Sequence, residues 1–300
     1  MMPQKLRSMK KRKGFDMAIL IDGKQLAIDT RAKIKEDAAK LPRRPGLAVI
    51  LVGEDPASQV YVRNKERDCI QCGFAGQTFR MEDCSEEELL ELIDRLNKSE
   101  TIDGILVQLP LPKNINERRV LEAIDPNKDV DAFHPENVGR MIVGKPVLWP
   151  CTPAGVMEMF HAYGIDLTGK HCVVVGRSNI VGKPMGLLML REDATVTFCH
   201  SKTPNLAEKT RTADVLVVAA GHQGLISADM VKEGAVVIDV AMNRDPETGK
   251  FTGDVLFDEV EKKASYITPV PGDVGPMTRA ILMKNVYAAA RHNMGLDPEN

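Results

Sequence analysis

Four side chains in the first half of the chain have the types needed to move a proton and to hold a polar heterocycle. Tyr61 and Lys65 are four residues apart, so one face of a helix would present both. Gln108 ends an apolar run typical of a strand, and Asp131 lies in the polar loop further along the chain. In parallel sheets, ligands lie beyond the carboxyl ends of such strands. The alternative is that Lys65 is a solvated helix lysine and Tyr61 lies at the edge of the core.

A second stretch is suited to binding an anion. Residues 172–175 predict a buried strand that stops at Gly176, and an apolar segment opened by Gly182 and Pro184 predicts a helix. Unpaired N–H groups and the helix dipole converge at such a turn. The loop carries Arg177 and Ser178 and is longer than G-x-G-x-x-G. The glycines therefore either mark a dinucleotide site or simply serve a tight turn.

The end of the next predicted strand, residues 195–199, bears on the choice of nucleotide. In NAD enzymes a carboxylate at this place holds the ribose 2′-hydroxyl. Here His200, Ser201 and Lys202 follow the strand, and none of them is a carboxylate. Together with Arg177 they suit a 2′-phosphate, which favours NADP. The alternative is an ordinary polar loop.

The elements that must position these residues follow from apolar periodicity and from helix caps. In the first half we expect helices over 22–40, 55–72, 85–98 and 115–124 and strands over 47–52 and 104–108, followed by a polar loop through His134. Asp55-Pro56 and Gly73 bound the second helix, and Ser85 with Glu88 forms a capping box. This β-α-α-β order predicts an α/β domain with a parallel sheet.

The second half alternates short strands and helices after a linker at residues 146–150. Thr152-Pro153 opens a helix that ends near Gly164. The predicted strands are 172–175, 195–199, 215–219, 236–239 and 266–268, and a last helix covers 276–293. The pattern indicates a Rossmann-type dinucleotide-binding domain, and the last helix could pack back on the first domain.

Composition narrows the class of protein. The 300 residues suit two domains, 43% are hydrophobic, and the net charge of −2 favours neither nucleic acid nor membrane as a partner. No apolar run is long enough to span a bilayer. The basic segment Lys5 to Lys13 lacks an apolar core, so we expect a disordered tail rather than a secretory signal, with an organelle transit peptide as the lesser alternative.

Metal chemistry receives no support from the residues. Six cysteines without a secretory signal indicate reduced thiols in the cytoplasm, and Cys69 and Cys72 have no second pair at zinc spacing. Residues 125–136 imitate a calcium loop, but Val130 stands where a glycine is needed. We therefore expect no metal.

Six motifs, taken in order, resemble those of the bifunctional methylenetetrahydrofolate dehydrogenase/methenyltetrahydrofolate cyclohydrolase family. The resemblance as a whole spans nearly everything after Gly14. The motifs are Tyr61-Val-Arg-Asn-Lys65, Val107-Gln-Leu-Pro-Leu-Pro112, Lys128-Asp-Val-Asp131, Gly176-Arg-Ser-Asn-Ile-Val-Gly-Lys-Pro184, Cys199-His-Ser-Lys-Thr203 and Pro271-Gly-Asp-Val-Gly-Pro-Met-Thr278.

The resemblance implies a cytoplasmic, NADP-dependent homodimer of one-carbon metabolism and purine biosynthesis. Its folate cleft would lie between an N-terminal α/β catalytic domain and a Rossmann domain. We place the disordered tail at residues 1–13, the catalytic domain at 14–147 with the C-terminal helix 279–300, and the NADP-binding domain at 148–278. The implied reaction oxidises 5,10-methylenetetrahydrofolate and hydrolyses the methenyl product to 10-formyltetrahydrofolate.

The resemblance also implies roles for individual residues. Lys65 would transfer the proton, Tyr61 would line the cleft beside it, and Gln108 would hydrogen-bond Lys65. The remaining implied contacts are Ser58, Asp131, Pro271, Gly272 and Asp273 for the folate, and Gly176, Arg177, Ser178, Ser201 and Met242 for the cofactor.

Two positions depart from the family's pattern. Asp273 replaces the second glycine of Pro-Gly-Gly-Val-Gly, which adds a carboxylate and, we expect, backbone strain at the folate wall. Ala241-Met242 stands where Gly-Ile is usual. Two rival functions stay open: another NADP-linked two-domain dehydrogenase of shikimate type, and a non-catalytic nucleotide-binding relative. The second would be expected to lose Lys65 or Gln108.

Overall fold

A computed structural model describes residues 17–245 and 249–296. The basic tail predicted at residues 1–13 lies outside them. The chain divides into two compact units. The lysine unit comprises Ala27–Cys151 and the residues from Arg279 onward, and the glycine-loop unit comprises the residues through Leu26 and Thr152–Thr278. No helix in the described part of the chain is both long and apolar enough to cross a bilayer.

The two halves of the chain hold ten helices and eleven strands within the described ranges. The first half contains β1 (Ile19–Leu20), α1 (Gly23–Ala38), β2 (Gly46–Val52), α2 (Pro56–Cys72), β3 (Ala75–Met81), α3 (Glu86–Asn97), β4 (Gly104–Val107), α4 (Glu117–Glu122) and α5 (Pro135–Ile142). The second half contains α6 (Cys151–Tyr163), β5 (His171–Val175), α7 (Gly182–Arg191), β6 (Thr195–Cys199), α8 (Leu206–Thr210), β7 (Val215–Val218), β8 (Val236–Asp239), β9 (Asn243–Arg244), β10 (Phe251–Thr252), α9 (Phe257–Val260), β11 (Tyr266–Ile267) and α10 (Val274–Asn293).

The lysine unit is built on a three-stranded parallel sheet in the order β3-β2-β4. Every residue of β2 is buried, as its continuous apolar sequence predicts for a central strand. Ile50 and Ile105 from the sheet pack with Leu89 and Ile93 of α3 in one core cluster. Because β2 and β4 run in parallel, the loops that follow them leave the same edge of the sheet.

Helix ends in this unit confirm the predicted caps. The Asp55 carboxylate accepts a hydrogen bond from Ser58 N–H at the start of α2, and Gly73 ends the helix in a left-handed conformation at φ 76°. Ser85 and Glu88 form the capping box of α3. These caps fix where each helix begins, and therefore which side chains its faces present.

Two elements of the lysine unit were missed, so the predicted β-α-α-β order is wrong. Strand β3 lies between the two helices and makes the order β-α-β-α-β. It escapes detection because it lies at the sheet edge and every one of its residues is exposed or half-exposed. Helix α5 begins directly after the predicted loop through His134, in a stretch for which no element was predicted. The His134 ring nitrogen accepts from Glu136 N–H, and Pro135 follows as the first helical residue.

The glycine-loop unit contains a six-stranded parallel sheet in the order β1-β11-β8-β7-β5-β6. All five strands predicted for this region are present. The chain order reverses at β5, whose neighbours are β6 on one side and β7 on the other. Such a reversal leaves a crevice at the carboxyl ends of the strands, where dinucleotides bind in Rossmann folds.

The sixth strand comes from the beginning of the chain. In β1, Ile19 and Leu20 pair with Tyr266 and Ile267 at the edge of the sheet. Residues 17–26 therefore group with the glycine-loop unit, whereas the sequence had placed everything from residue 14 in the first domain. Two residues are too short for a periodic signal, so their pairing was not visible in the sequence.

Candidate functional site

Helix α2 presents three side chains of the candidate site along one face. Tyr61, Lys65 and Asp68 are spaced four and three residues apart, which places them one above the other. Their exposure falls along this face: Tyr61 is 37% exposed, Lys65 is half-buried and Asp68 is 1% exposed. The helix therefore carries its lysine at the boundary between solvent and core.

Lys65 and Gln108 are brought together as the resemblance implied. Lys65 Nζ donates to Gln108 Oε1 at 2.9 Å, across 43 residues of sequence. Gln108 directly follows β4 and is buried, and its Nε2 donates to the carbonyl of Leu109 at 2.6 Å. Because that second bond fixes the amide, Gln108 offers Lys65 an oxygen and adds no charge.

The surroundings of Lys65 favour its neutral form. Burial lowers the pKa of the Lys65 ammonium, the Asp131 carboxylate acts in the opposite direction, and the positive charge of Arg279 lowers it further. An amine held this way gives up its proton more readily than an exposed lysine. The alternative raised by the sequence, that Lys65 is a solvated helix lysine, does not fit these surroundings.

Asp131 lies within electrostatic reach of Lys65 and hydrogen-bonds to Cys151. Burial raises the pKa of the Asp131 carboxyl, and Lys65 opposes that rise. Neighbouring groups hold its loop in place. Asn285 of α10 donates to the carbonyl of Val130 at 2.8 Å, and Cys151 Sγ donates to the same carbonyl.

The other residues of the Lys128-Asp-Val-Asp131 motif are structural. Lys128 Nζ donates to the carbonyls of Leu96, Asn97 and Ser99 and so caps the end of α3. Asp129 accepts from His134 N–H and from Asn137. Burial raises the pKa of the Asp129 carboxyl to about 6. Asp131 is thus the one residue of this motif left to face Lys65.

Ser58 is placed less favourably for the folate contact that the resemblance implied. It lies in the first turn of α2, is 3% exposed, and its backbone N–H is bound by Asp55. In this structure it serves the start of the helix that carries Tyr61 and Lys65. Contact with a ligand stays a prediction.

The glycine turn of the second unit brings its backbone segments into close contact. Gly176 has φ 135°, and a Cβ there would lie 2.3 Å from the carbonyl oxygen of Ala219. A Cβ at Gly182 would lie 2.4 Å from Gly176 O. Ser178 Oγ accepts from the N–H groups of Val181 and Gly182, so it holds the loop that leads into α7. These glycines are required by the fold itself, and the turn they make leaves bare backbone beside the crevice.

The predicted 2′-phosphate contacts lie beside that turn. Gly176 N–H donates to the carbonyl of Cys199, which joins the glycine loop to the end of β6. Arg177, Ser201 and Lys202 are all exposed. This set combines backbone close to the crevice with a hydroxyl and two cations, and it fits a dinucleotide with a 2′-phosphate. Met242, 43% exposed after β8, is the remaining predicted cofactor residue.

The segment Pro271 to Asp273 leads into α10. Pro271 and Gly272 are exposed, and Gly272 has φ 151°. The Asp273 carboxylate is buried and accepts from Lys24 N–H at 3.3 Å at the start of α1. Burial raises its pKa to about 6. The expected backbone strain at Asp273 is absent, since the non-glycine residues with positive φ in the described ranges are Ala132, Asp193 and Asn205.

Three residues that the structure places around the candidate site were not singled out from the sequence: Cys151, Asp68 and Arg279. Cys151 carried no signal because an isolated cysteine is most often a core residue. Asp68 had one usable signal, its helical spacing from Lys65. Arg279 had none, because its bond to Asp68, at 2.6 Å, spans 211 residues of sequence.

Cys69 and Cys72 lie in the last turn of α2. Cys69 and Cys72 are free and buried, and burial raises the pKa of each thiol to about 12. Over residues 17–245 and 249–296, no three His, Cys, Asp or Glu side chains are grouped to hold an ion.

Comparison with known proteins bears directly on this arrangement. The chain matches the family model of the tetrahydrofolate dehydrogenase/cyclohydrolase catalytic domain over residues 21–131 and that of the NAD(P)-binding domain over residues 150–294. The bifunctional protein FolD of Lactococcus lactis subsp. cremoris is 59% identical over 279 residues, which are 92% of this chain and 98% of that protein.

Solved structures agree in both fold and sequence. The FolD methylenetetrahydrofolate dehydrogenase/cyclohydrolase of Campylobacter jejuni superposes with a TM-score of 0.90 at 48% identity, covering 92% of this chain and 99% of the other. The Trypanosoma brucei enzyme, solved with NADP cofactor and an inhibitor, gives 0.89 at 39% identity, covering 93% and 99%. The two units thus correspond to a catalytic domain and an NAD(P)-binding domain, and the chain belongs to the tetrahydrofolate dehydrogenase/cyclohydrolase family.

Proposed function

We propose that this enzyme oxidises 5,10-methylenetetrahydrofolate to 5,10-methenyltetrahydrofolate with NADP⁺ and hydrolyses the product to 10-formyltetrahydrofolate, with Lys65 as the proton-transfer group. The observation that carries the assignment of Lys65 is its 2.9 Å bond to Gln108 in surroundings that lower its pKa. Family membership sets the reaction class, and this contact selects the residue.

The first step needs alignment of substrate and cofactor, and it does not formally need a base. When bound, NADP⁺ supplies the acceptor for the hydride that leaves the one-carbon bridge. The Gly176 turn and the start of α7 would hold the pyrophosphate, and Arg177, Ser201 and Lys202 would hold the 2′-phosphate. Asp131 would hold the polar edge of the pterin, and Tyr61 would line the site beside Lys65.

The second step does need a base. Water attacks the methenyl carbon and forms a C–O bond. The bond from that carbon to N5 of the folate then breaks, N5 takes up a proton, and the formyl group stays on N10. The attacking oxygen must lose a proton. Lys65 Nζ takes that proton in its neutral form, while Gln108 Oε1 keeps the amine directed. No metal is required for this step, since the electrophile already carries a positive charge.

The test replaces Lys65 by methionine, which keeps most of the bulk and removes the amine. Loss of a general base typically costs about 10²–10⁴-fold in rate. We therefore expect the cyclohydrolase rate to fall by about that factor, the dehydrogenase rate to fall far less, and methenyltetrahydrofolate to accumulate when both steps are followed. Lys33→Met, on the exposed face of α1, is the matched control.

Each outcome has a definite meaning. An equal fall in both rates would mean that Lys65 positions the substrate for both steps and is not the base. Unchanged rates would mean that it takes part in neither. The shikimate-type alternative predicts turnover of a hydroxy acid with NADP⁺ and none of a tetrahydrofolate, so the unmodified enzyme decides that question.

We also propose that the enzyme is a cytoplasmic homodimer, as the family resemblance implies. All six cysteines are free thiols, in keeping with a reducing compartment. Light scattering on the eluting peak of a size-exclusion column would measure the mass, and a monomer at micromolar concentration would contradict the dimer.

A further inference from the structure

Asp254 is a fully buried carboxylate in the glycine-loop unit that no step of the reaction uses. Its two oxygens accept four hydrogen bonds. Oδ2 accepts from the N–H groups of Ala220 at 2.7 Å and Gly221 at 2.9 Å. Oδ1 accepts from His222 N–H at 2.6 Å and from Asn243 Nδ2 at 2.9 Å. A buried carboxylate with this many donors fixes its partners far more firmly than an exposed one.

The donors belong to two segments that leave the same edge of the sheet. Residues 219–222 follow β7, and residues 240–243 follow β8, which is the neighbouring parallel strand. Dinucleotides lie beyond the carboxyl ends of such strands. The carbonyl of Ala219 lies against Gly176 of the glycine turn. Met242 directly precedes Asn243. The Asp254 carboxylate therefore bonds to two segments, one next to Ala219 and the other next to Met242.

Asp254 is itself held from behind by a second buried carboxylate. Asp239, the last residue of β8, accepts from the N–H groups of Asp254 at 3.2 Å and Val255 at 2.8 Å. It also accepts from Ala241 N–H at 3.1 Å. Gly253 permits the approach, because a Cβ there would lie 1.9 Å from Asp239 Oδ2. The two carboxylates form a rigid link from the strand to the loops.

We propose that Asp254 is a positioning residue for the pyridine nucleotide, which it does not touch: it sets the loops after β7 and β8 in the shape that receives the cofactor. The inference rests on the proposed function for the identity of that cofactor. It goes beyond that function, since neither catalysis nor direct cofactor contact involves Asp254.

The test is Asp254→Asn, which keeps the size of the side chain but replaces one acceptor oxygen by an NH₂ donor. One pair of loop donors then faces a group that cannot accept. We expect the NADP⁺ Kd, measured by calorimetry, to rise at least about tenfold, because loss of buried acceptors on this scale is worth that factor. The cyclohydrolase rate on added methenyltetrahydrofolate should stay within about twofold, since that step uses no hydride acceptor.

Two further variants keep the test decisive. Gln223→Ala removes an exposed bond just beyond these segments, from Gln223 to Asp245, and should leave NADP⁺ affinity unchanged. Asn243→Ala removes only one of the four donors and should weaken NADP⁺ binding by a smaller factor than Asp254→Asn. If Asp254→Asn fails to fold, the Asn243 variant decides alone.

The inference is overturned if Asp254→Asn binds NADP⁺ like the unmodified enzyme, or if the cyclohydrolase rate falls by the same factor as NADP⁺ affinity. It is equally overturned if Asn243→Ala changes nothing after Asp254→Asn has failed to fold. Failure of the unmodified enzyme to bind NADP⁺ would contradict the proposed function as well. If the unmodified enzyme binds NADP⁺ and the Asp254 and Asn243 variants bind it equally well, only this inference is contradicted.

Discussion

Arg279 Nε donates to Asp68 Oδ2 at 2.6 Å, and Asp68 lies three residues beyond Lys65 on α2. This bond brings a fixed positive charge to the helix that carries the proposed base. Arg31 approaches the other oxygen of Asp68 at 3.7 Å. Through this bond, a residue of α10 influences the pKa of Lys65.

We expect Arg279→Met to move the pH profile of the cyclohydrolase to higher pH. The charge of Arg279 lowers the pKa of Lys65, so its removal lets that pKa rise. A base is active when deprotonated, and the rate therefore rises with pH through the pKa of Lys65. At neutral pH the variant should be slower. Rates measured from pH 6 to 10 would show the shift.

Arg31→Met is the matched control, because it also removes a cationic partner of Asp68. Its profile should coincide with that of the unmodified enzyme. Coincident profiles for Arg279→Met and the unmodified enzyme would show that Arg279 has only a structural role.

Lys128→Met should destabilise the lysine unit without changing its chemistry. The ammonium donates to three carbonyls at the end of α3, and its loss leaves buried acceptors unpaired. Such a loss costs about 1–3 kcal/mol. Urea unfolding would measure it. Lys98→Met, at the same helix end but exposed, should change stability by less than about 1 kcal/mol. Equal effects of the two substitutions would mean that Lys128 caps nothing of consequence.

Arg177→Ala should reduce the preference for NADP⁺ over NAD⁺. A charge-assisted bond to the 2′-phosphate is worth about 1.5–3 kcal/mol, so kcat/KM for NADP⁺ should fall roughly 10- to 150-fold. The value for NAD⁺ serves as the internal control and should barely change, because NAD⁺ carries no 2′-phosphate. Equal losses with both cofactors would assign Arg177 to the turn around Gly176 and not to cofactor choice.

Asp273→Asn should remove one source of pH-dependent stability. Burial raises the pKa of Asp273 to about 6 from its ordinary 3.8, so the folded chain holds this proton more tightly than the unfolded chain. The stability it contributes is complete below pH 3.8 and is lost as pH rises to about 6. Asparagine does not titrate. The melting temperature of the variant, relative to that of the unmodified enzyme, should therefore rise between pH 4 and pH 7.

Thermal melts across that range would measure the difference, with Asp258→Asn on the exposed surface as the matched control. A gap that stays constant with pH would show that the carboxylate of Asp273 titrates in the folded enzyme as it does when unfolded.

Much of this site could be predicted because local signals happened to specify it. Caps and buried runs located α2 and β4, and the parallel-sheet rule then placed Lys65 and Gln108 at one edge. Strand β3 was missed because an edge strand lacks the continuous apolar run of a central one. The bond of Arg279 to Asp68 and that of Asp273 to Lys24 N–H join residues far apart in the chain. No periodicity or cap encodes such partners, which only tertiary packing selects.

The division of the chain into its two units has a consequence for how the enzyme is made. Strand β1 leaves the ribosome first, yet β11, its partner in the sheet, is synthesised near the end. The lysine unit likewise waits for the residues from Arg279 onward. Neither unit is encoded by one continuous stretch of the gene. A gene cut in the linker at residues 146–150 would yield two polypeptides that each lack part of both units, so neither polypeptide would contain a complete unit.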